Sequence, residues 1–141
     1  MVGNVTAMYF SATGTTKKIV SGIAARLSES IHSERHVICM DFTLPSGRQE
    51  PRQFNETDIV VLGVPVYAGR VPNILSKYLN SINGNGALAV AVTVYGNRNY
   101  DDALIELADI LNSRGFTVIA GGAFIGEHSF SKTLAKNRPD E

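Results

Sequence analysis

Short apolar runs alternate with amphipathic stretches along most of the 141 residues, and few folds accept that order. Asn4–Phe10, Val37–Asp41, Ile59–Val64, Ala87–Tyr95 and Phe116–Phe124 have strand length and strand composition. Between them, Thr15–Ser30 carries Ile19, Ile23 and Leu27 at helical spacing. Pro72–Ile82 does the same with Ile74, Leu75, Tyr78 and Leu79, and Asp101–Arg114 with Leu104, Leu107 and Leu111. Strands that are apolar on both faces and separated by crossover helices predict a parallel sheet covered on both sides, the doubly wound α/β arrangement. Phe42–Thr57, rich in Pro, Gly, Gln and Arg, reads as a loop with at most a short helix. No repeat, low-complexity tract or linker interrupts the pattern, so residues 1–141 read as one domain.

Charge and cysteine content narrow the chemistry. Thirteen basic residues balance thirteen acidic ones, which removes the electrostatic argument for nucleic acid or a lipid surface. Apolar runs such as Ile59 to Leu62 are too short to span a bilayer. The N-terminus lacks a cationic segment and a small-residue cleavage site, so a cytoplasmic location is expected. The single cysteine, Cys39, can form no internal disulfide and cannot supply the thiolates of an iron–sulfur cluster. Redox chemistry would therefore need a borrowed cofactor. On a strand expected to be buried, Cys39 reads as an inert small hydrophobe.

The strongest local signal is Ser11-Ala12-Thr13-Gly14-Thr15-Thr16, placed where the first strand ends and the first helix begins. Hydroxyls and backbone N–H groups at a helix N-terminus can surround a phosphate, and Gly14 allows close approach or positive φ. An ordinary Ser/Thr-rich helix cap is the plainer alternative. Neither G-x-x-x-x-G-K-[ST] nor G-x-G-x-x-G is present, so nucleoside triphosphate and dinucleotide loops fit poorly. Asp41 stands where a ribose-binding acid would lie, but without the glycines it carries little. Lys17 and Lys18 either support the phosphate or face water.

Ser-x-Thr-Gly-x-Thr after the first strand resembles the FMN phosphate loop of flavodoxins. Two further loops extend the resemblance: Gly63-Val64-Pro65-Val66-Tyr67-Ala68-Gly69-Arg70-Val71-Pro72 and Tyr95-Gly96-Asn97-Arg98-Asn99-Tyr100-Asp101. In that family these bind the isoalloxazine. The resemblance implies a flavodoxin-like five-stranded sheet of order 2-1-3-4-5 with all three loops at its carboxyl edge. It also implies that Tyr100 stacks on the flavin, with Tyr67 over the other face. Ala68 or Gly69 would supply the peptide that turns a carbonyl towards flavin N5, and glycine permits both orientations. Asn97 stands where the family has an acid. Arg70 and Arg98 then either shift the local charge positive, raising the potential by roughly tens of millivolts, or form surface ion pairs.

Pro65–Pro72, Tyr95–Leu104 and Glu127–Phe130 together are similar to the flavodoxin half of bacterial proteins fused to a two-cluster ferredoxin, whose cysteines are absent here. The chain stops at Pro139-Asp140-Glu141, where a final flavodoxin helix would begin, so a truncated domain is expected. Its apolar sheet surface would favour a homodimer. His128 reads as a partner or loop residue. The expected function is one-electron transfer through FMN to a redox partner protein or fused ferredoxin. An NAD(P)H-dependent flavin or quinone reductase is the alternative. A phosphate-sensing signalling module is disfavoured, because Ser11 and Val66 stand where a receiver domain needs acids.

Overall fold

A computed structural model describes residues 3–11, 13–31, 36–67, 70–95 and 103–125. Five strands, β1 (Val5–Tyr9), β2 (Ile38–Asp41), β3 (Ile59–Pro65), β4 (Leu88–Tyr95) and β5 (Thr117–Ile125), form one sheet of order β2-β1-β3-β4-β5. Every ladder is parallel. Helices α1 (Thr15–Ser30), α2 (Asn73–Leu79) and α3 (Ala103–Ser113) follow β1, β3 and β4. The doubly wound order expected from the alternation is present. Pro45–Arg48 forms a short 3-10 turn inside the long β2–β3 connection, as its composition suggests.

Strand alternation divides the core into two clusters. On one face, Val5, Ala7 and Tyr9 of β1 and Val61 of β3 pack with Val20 and Ala24 of α1. On the other, Met8, Leu62 and Val64 pack with Leu75 and Leu79 of α2 and Leu107 and Leu111 of α3.

Two expectations need correction, the placement of Ile74 and the burial of Cys39, and the reading of α1 gains a detail. The row of α1 that meets the sheet is Thr16, Val20, Ala24 and Ser28; Ile19, Ile23 and Leu27 flank it, half-buried. Small residues face inward because the helix sits very close to β3. The space that a side chain at Gly63 would fill is taken by methyl groups of Val20 and Thr16. In α2, Leu75, Tyr78 and Leu79 are buried whereas Ile74 is 61% exposed, so one of its four apolar positions faces outward.

Cys39 is exposed, and β2 as a whole is largely uncovered. Among the described residues it is an edge strand paired only to β1, while α1 lies over β1 and β3. Strand composition cannot distinguish an edge from a centre, and here several residues of β5 are exposed too. Burial on both faces therefore holds for β1, β3 and β4 but not for the two edges. Among the described residues no helix is long and apolar enough to cross a membrane.

Candidate functional site

The strand order reverses between β1 and β3, whose following helices pack on opposite faces of the sheet. A crevice at the carboxyl edge is the consequence, and ligands of open α/β sheets bind in such crevices. Ser11, Val66 and the end of β4 at Tyr95 all stand at this edge.

Gly14 occupies the N-cap of α1 with φ 91° and ψ −12°. Apart from its chain neighbours, no atom of the described residues lies within 4 Å of where its Cβ would be, and its positive φ calls for glycine. The cap position lacks a side-chain hydrogen bond. Instead the Lys17 amide donates to Ser11 Oγ at 3.0 Å, and the Lys18 amide to the Gly14 carbonyl at 3.1 Å. First-turn amides of Thr15 and Thr16 have no acceptor within the helix itself, the usual state of a helix N-terminus. Thr13 is exposed, its hydroxyl 3.4 Å from that of Thr15. Thr16 is 4% exposed, so it packs the helix against β3 as well as presenting its amide. Lys17 and Lys18 are exposed. Ala12 lies outside the described residues.

Sequence reasoning missed what holds this loop. The Ser11 amide donates to Thr43 Oγ1 at 2.8 Å, and both the amide and the hydroxyl of Thr43 donate to Asp41 Oδ1. Arg48 donates to the carbonyls of Phe42 (2.7 Å) and Thr43 (2.9 Å), with its guanidinium 5.8 Å from the centre of the Phe10 ring. Asp41 is thus occupied in a turn beside the loop. The signal available was Asp-x-Thr, a spacing in which an aspartate side chain caps the backbone two residues on.

The β3–α2 connection is a narrow hairpin. Val66 extends the β3–β4 ladder by donating its amide to the Val94 carbonyl at 2.9 Å. Tyr67 and Arg70 then exchange two backbone hydrogen bonds, each 3.0 Å. Ala68 and Gly69 lie outside the described residues. Tyr67 is 52% exposed, a large aromatic surface beside the crevice. Arg70 donates through Nε (3.1 Å) and Nη2 (3.0 Å) to the two carboxylate oxygens of Glu106 on α3. The Val71 amide donates to the same carboxylate at 3.0 Å. Arg70 thus forms an ion pair with Glu106.

Glu106 is the second residue that sequence reasoning missed, since nothing local ties position 106 to position 70. The Arg70 hydrogen bond holds its carboxyl below the ordinary carboxylate range; burial opposes this, while the Val71 amide and the charge of Arg70 add to it.

Pro65 ends β3 in register with Val94. Gly96, Asn97, Arg98, Tyr100 and Asp101 of the third loop lie outside the described residues, as do His128, Glu127–Phe130 and the C-terminal Pro139-Asp140-Glu141.

A family model described as a flavodoxin domain matches residues 7–105. Solved structures agree at the level of the fold. A flavodoxin from the domain Archaea superposes with a TM-score of 0.62 at 18% identity, covering 93% of this chain and 90% of its own. Oxidised flavodoxin 1 from Bacillus cereus gives 0.60 at 19% identity, covering 93% and 91%. A putative flavoprotein from Bacteroides uniformis gives 0.56 at 18% identity, covering 97% and 100%. Among curated proteins, no sequence relative matches.

Proposed function

The chain belongs to the flavodoxin domain family, and we propose that it binds FMN non-covalently and carries single electrons between redox partners through it. The observation that carries this reading is the placement of a hydroxyl-rich helix N-terminus next to a hairpin bearing an exposed tyrosine, both at the sheet's point of reversal. A phosphomonoester suits the first part: it is compact, carries about −1.5 to −2 charges near neutral pH, and is best held by preoriented amides and hydroxyls. A flat ring system suits the second, because an aromatic face left half-open can bury itself against another.

Ser11, Ala12, Thr13, Gly14, Thr15 and Thr16 would hold the phosphate. Pro65, Val66, Tyr67, Ala68, Gly69 and Arg70 would border the ring on one side, and Tyr95, Gly96, Asn97, Arg98, Tyr100 and Asp101 on the other, with Tyr100 stacked on it. FMN supplies one-electron chemistry that none of these side chains has. The chain's contribution is to bind the phosphate, orient the ring and keep water from its buried face. The likeness of Pro65–Pro72 and Tyr95–Leu104 to ferredoxin-fused relatives makes a ferredoxin-type cluster the first partner to test.

Replacing Thr13 and Thr16 together by valine tests the phosphate assignment with little change of shape. FMN affinity should fall far more than riboflavin affinity, because riboflavin lacks the phosphate. Equal losses in a fluorescence titration count against it. Turnover of NADH or NADPH by the FMN-loaded protein would instead identify a reductase.

A further inference from the structure

The β3–α2 hairpin is tethered at both ends by different elements. Its entry is held to the sheet, Val66 amide to Val94 carbonyl at 2.9 Å. Its exit is held to α3, where one carboxylate accepts two hydrogen bonds from the Arg70 side chain and one from the Val71 amide. Between these anchors Tyr67 and Arg70 close the hairpin on themselves. Position 106 is otherwise an unremarkable helix position. It lies one residue from Ile105, which is 62% exposed, and one from Leu107, which is fully buried.

We propose that Glu106 is the positioning residue of the ring-binding hairpin: by gripping Arg70 and the Val71 amide together, it sets the distance of Tyr67 and Arg70 from the crevice. The proposal rests on the flavin reading above. Geometry gives the physical reason. A carboxylate that accepts a forked guanidinium fixes the plane as well as the distance of the pair, which a point contact does not. Because the same carboxylate also takes a backbone amide, the constraint reaches the main chain rather than ending at a flexible side chain. Glu106 itself sits on a helix whose Leu107 and Leu111 are anchored in the core, so the grip is referred to a rigid element.

Two consequences separate this role from general support of the fold. Loosening the hairpin should weaken ring binding without touching the phosphate, so FMN and riboflavin should lose affinity in equal proportion. The charge effects of the two partners should have opposite signs. Glu106→Gln leaves the Arg70 cation less compensated and should raise the second one-electron midpoint potential; Arg70→Gln leaves the Glu106 anion less compensated and should lower it.

The experiment compares wild type, E106Q and R70Q by flavin fluorescence titration with FMN and with riboflavin, by spectroelectrochemistry of the FMN-loaded proteins, and by amide hydrogen exchange at Val71 without flavin. Expected are affinities about five-fold lower for both ligands in each variant, midpoint potentials displaced in opposite directions, and faster exchange at Val71 in E106Q. Wild-type protein that binds neither flavin sinks the flavin reading, and this inference with it. Wild-type protein that binds FMN, alongside variants with unchanged affinity and unchanged potentials, overturns the inference alone. Should E106Q fail to fold, R70K keeps the charge but loses the forked geometry; it should weaken both ligands equally, and wild-type affinity in R70K overturns the proposal.

Discussion

An exposed ion pair contributes little by itself, because water screens it and two long side chains must be ordered to form it. Arg70 is of this kind, with 69% of its side chain exposed, but Glu106 is not, at 22%. The weight of the pair comes from its fork and from the Val71 amide that shares the carboxylate. A pH dependence follows. Since folding lowers the Glu106 pKa below its ordinary 4.5, the carboxylate stabilises the folded state fully above that value. The contribution disappears as pH falls from there through the lower folded value. Melting temperature followed from neutral pH to about pH 3 should therefore decline less steeply in E106Q than in wild type. Parallel curves for the two proteins would mean that the carboxylate has equal proton affinity in both states.

At the scale of elements, the seat of α1 on β3 decides where the proposed phosphate loop lies. Thr16, Val20, Ala24 and Ser28 form the inner row of the helix, and Gly63 lies directly beneath Val20 and Thr16. A methyl group at position 63 would occupy space already filled by Val20, a branched side chain with little freedom to turn away in a helix. Gly63→Ala should destabilise the fold by about 1–3 kcal/mol as the helix lifts or the strand bends. Thr16 is part of the contact and also of the loop, so FMN affinity should fall along with stability. Denaturant unfolding and flavin titration of one variant check both, and a stable protein with normal affinity would show that α1 yields without moving its N-terminus. The other support of the loop comes from Asp41 at the end of β2 and from Thr43 in the turn after it, so an edge strand that adds little to the core still braces the candidate site.

For the whole molecule, FMN binding as proposed would link the site to the fold. A ligand that occupies only the folded state stabilises it by mass action, by about 2.7 kcal/mol at a concentration one-hundred-fold above its Kd. FMN should raise the melting temperature more than riboflavin does at the same free concentration, the difference being the phosphate's share. Inorganic phosphate alone should raise it least, since it engages the loop without the ring. Identical shifts for FMN and riboflavin would remove the phosphate from the site.

The succession of strands and helices was legible because it is a local property. Period-two and period-3.6 apolar patterns depend on neighbours in the chain, and the five strands and three helices appear close to where those patterns put them. The loop Ser11–Thr16 was legible for the same reason: hydroxyls, a glycine and the start of a helix are adjacent in sequence. Long-range choices were not. Whether Cys39 is covered depends on which strand lies at the edge, and which row of α1 faces inward depends on a glycine on another strand. Arg70 and Glu106 stand 36 residues apart, and Thr43 reaches Ser11 across 32. No spacing rule joins such pairs; a parallel sheet does, because it gathers the carboxyl ends of distant strands at one edge. The sequence alone determined what chemistry the edge could offer, whereas the tertiary structure decided which charges there are already spoken for.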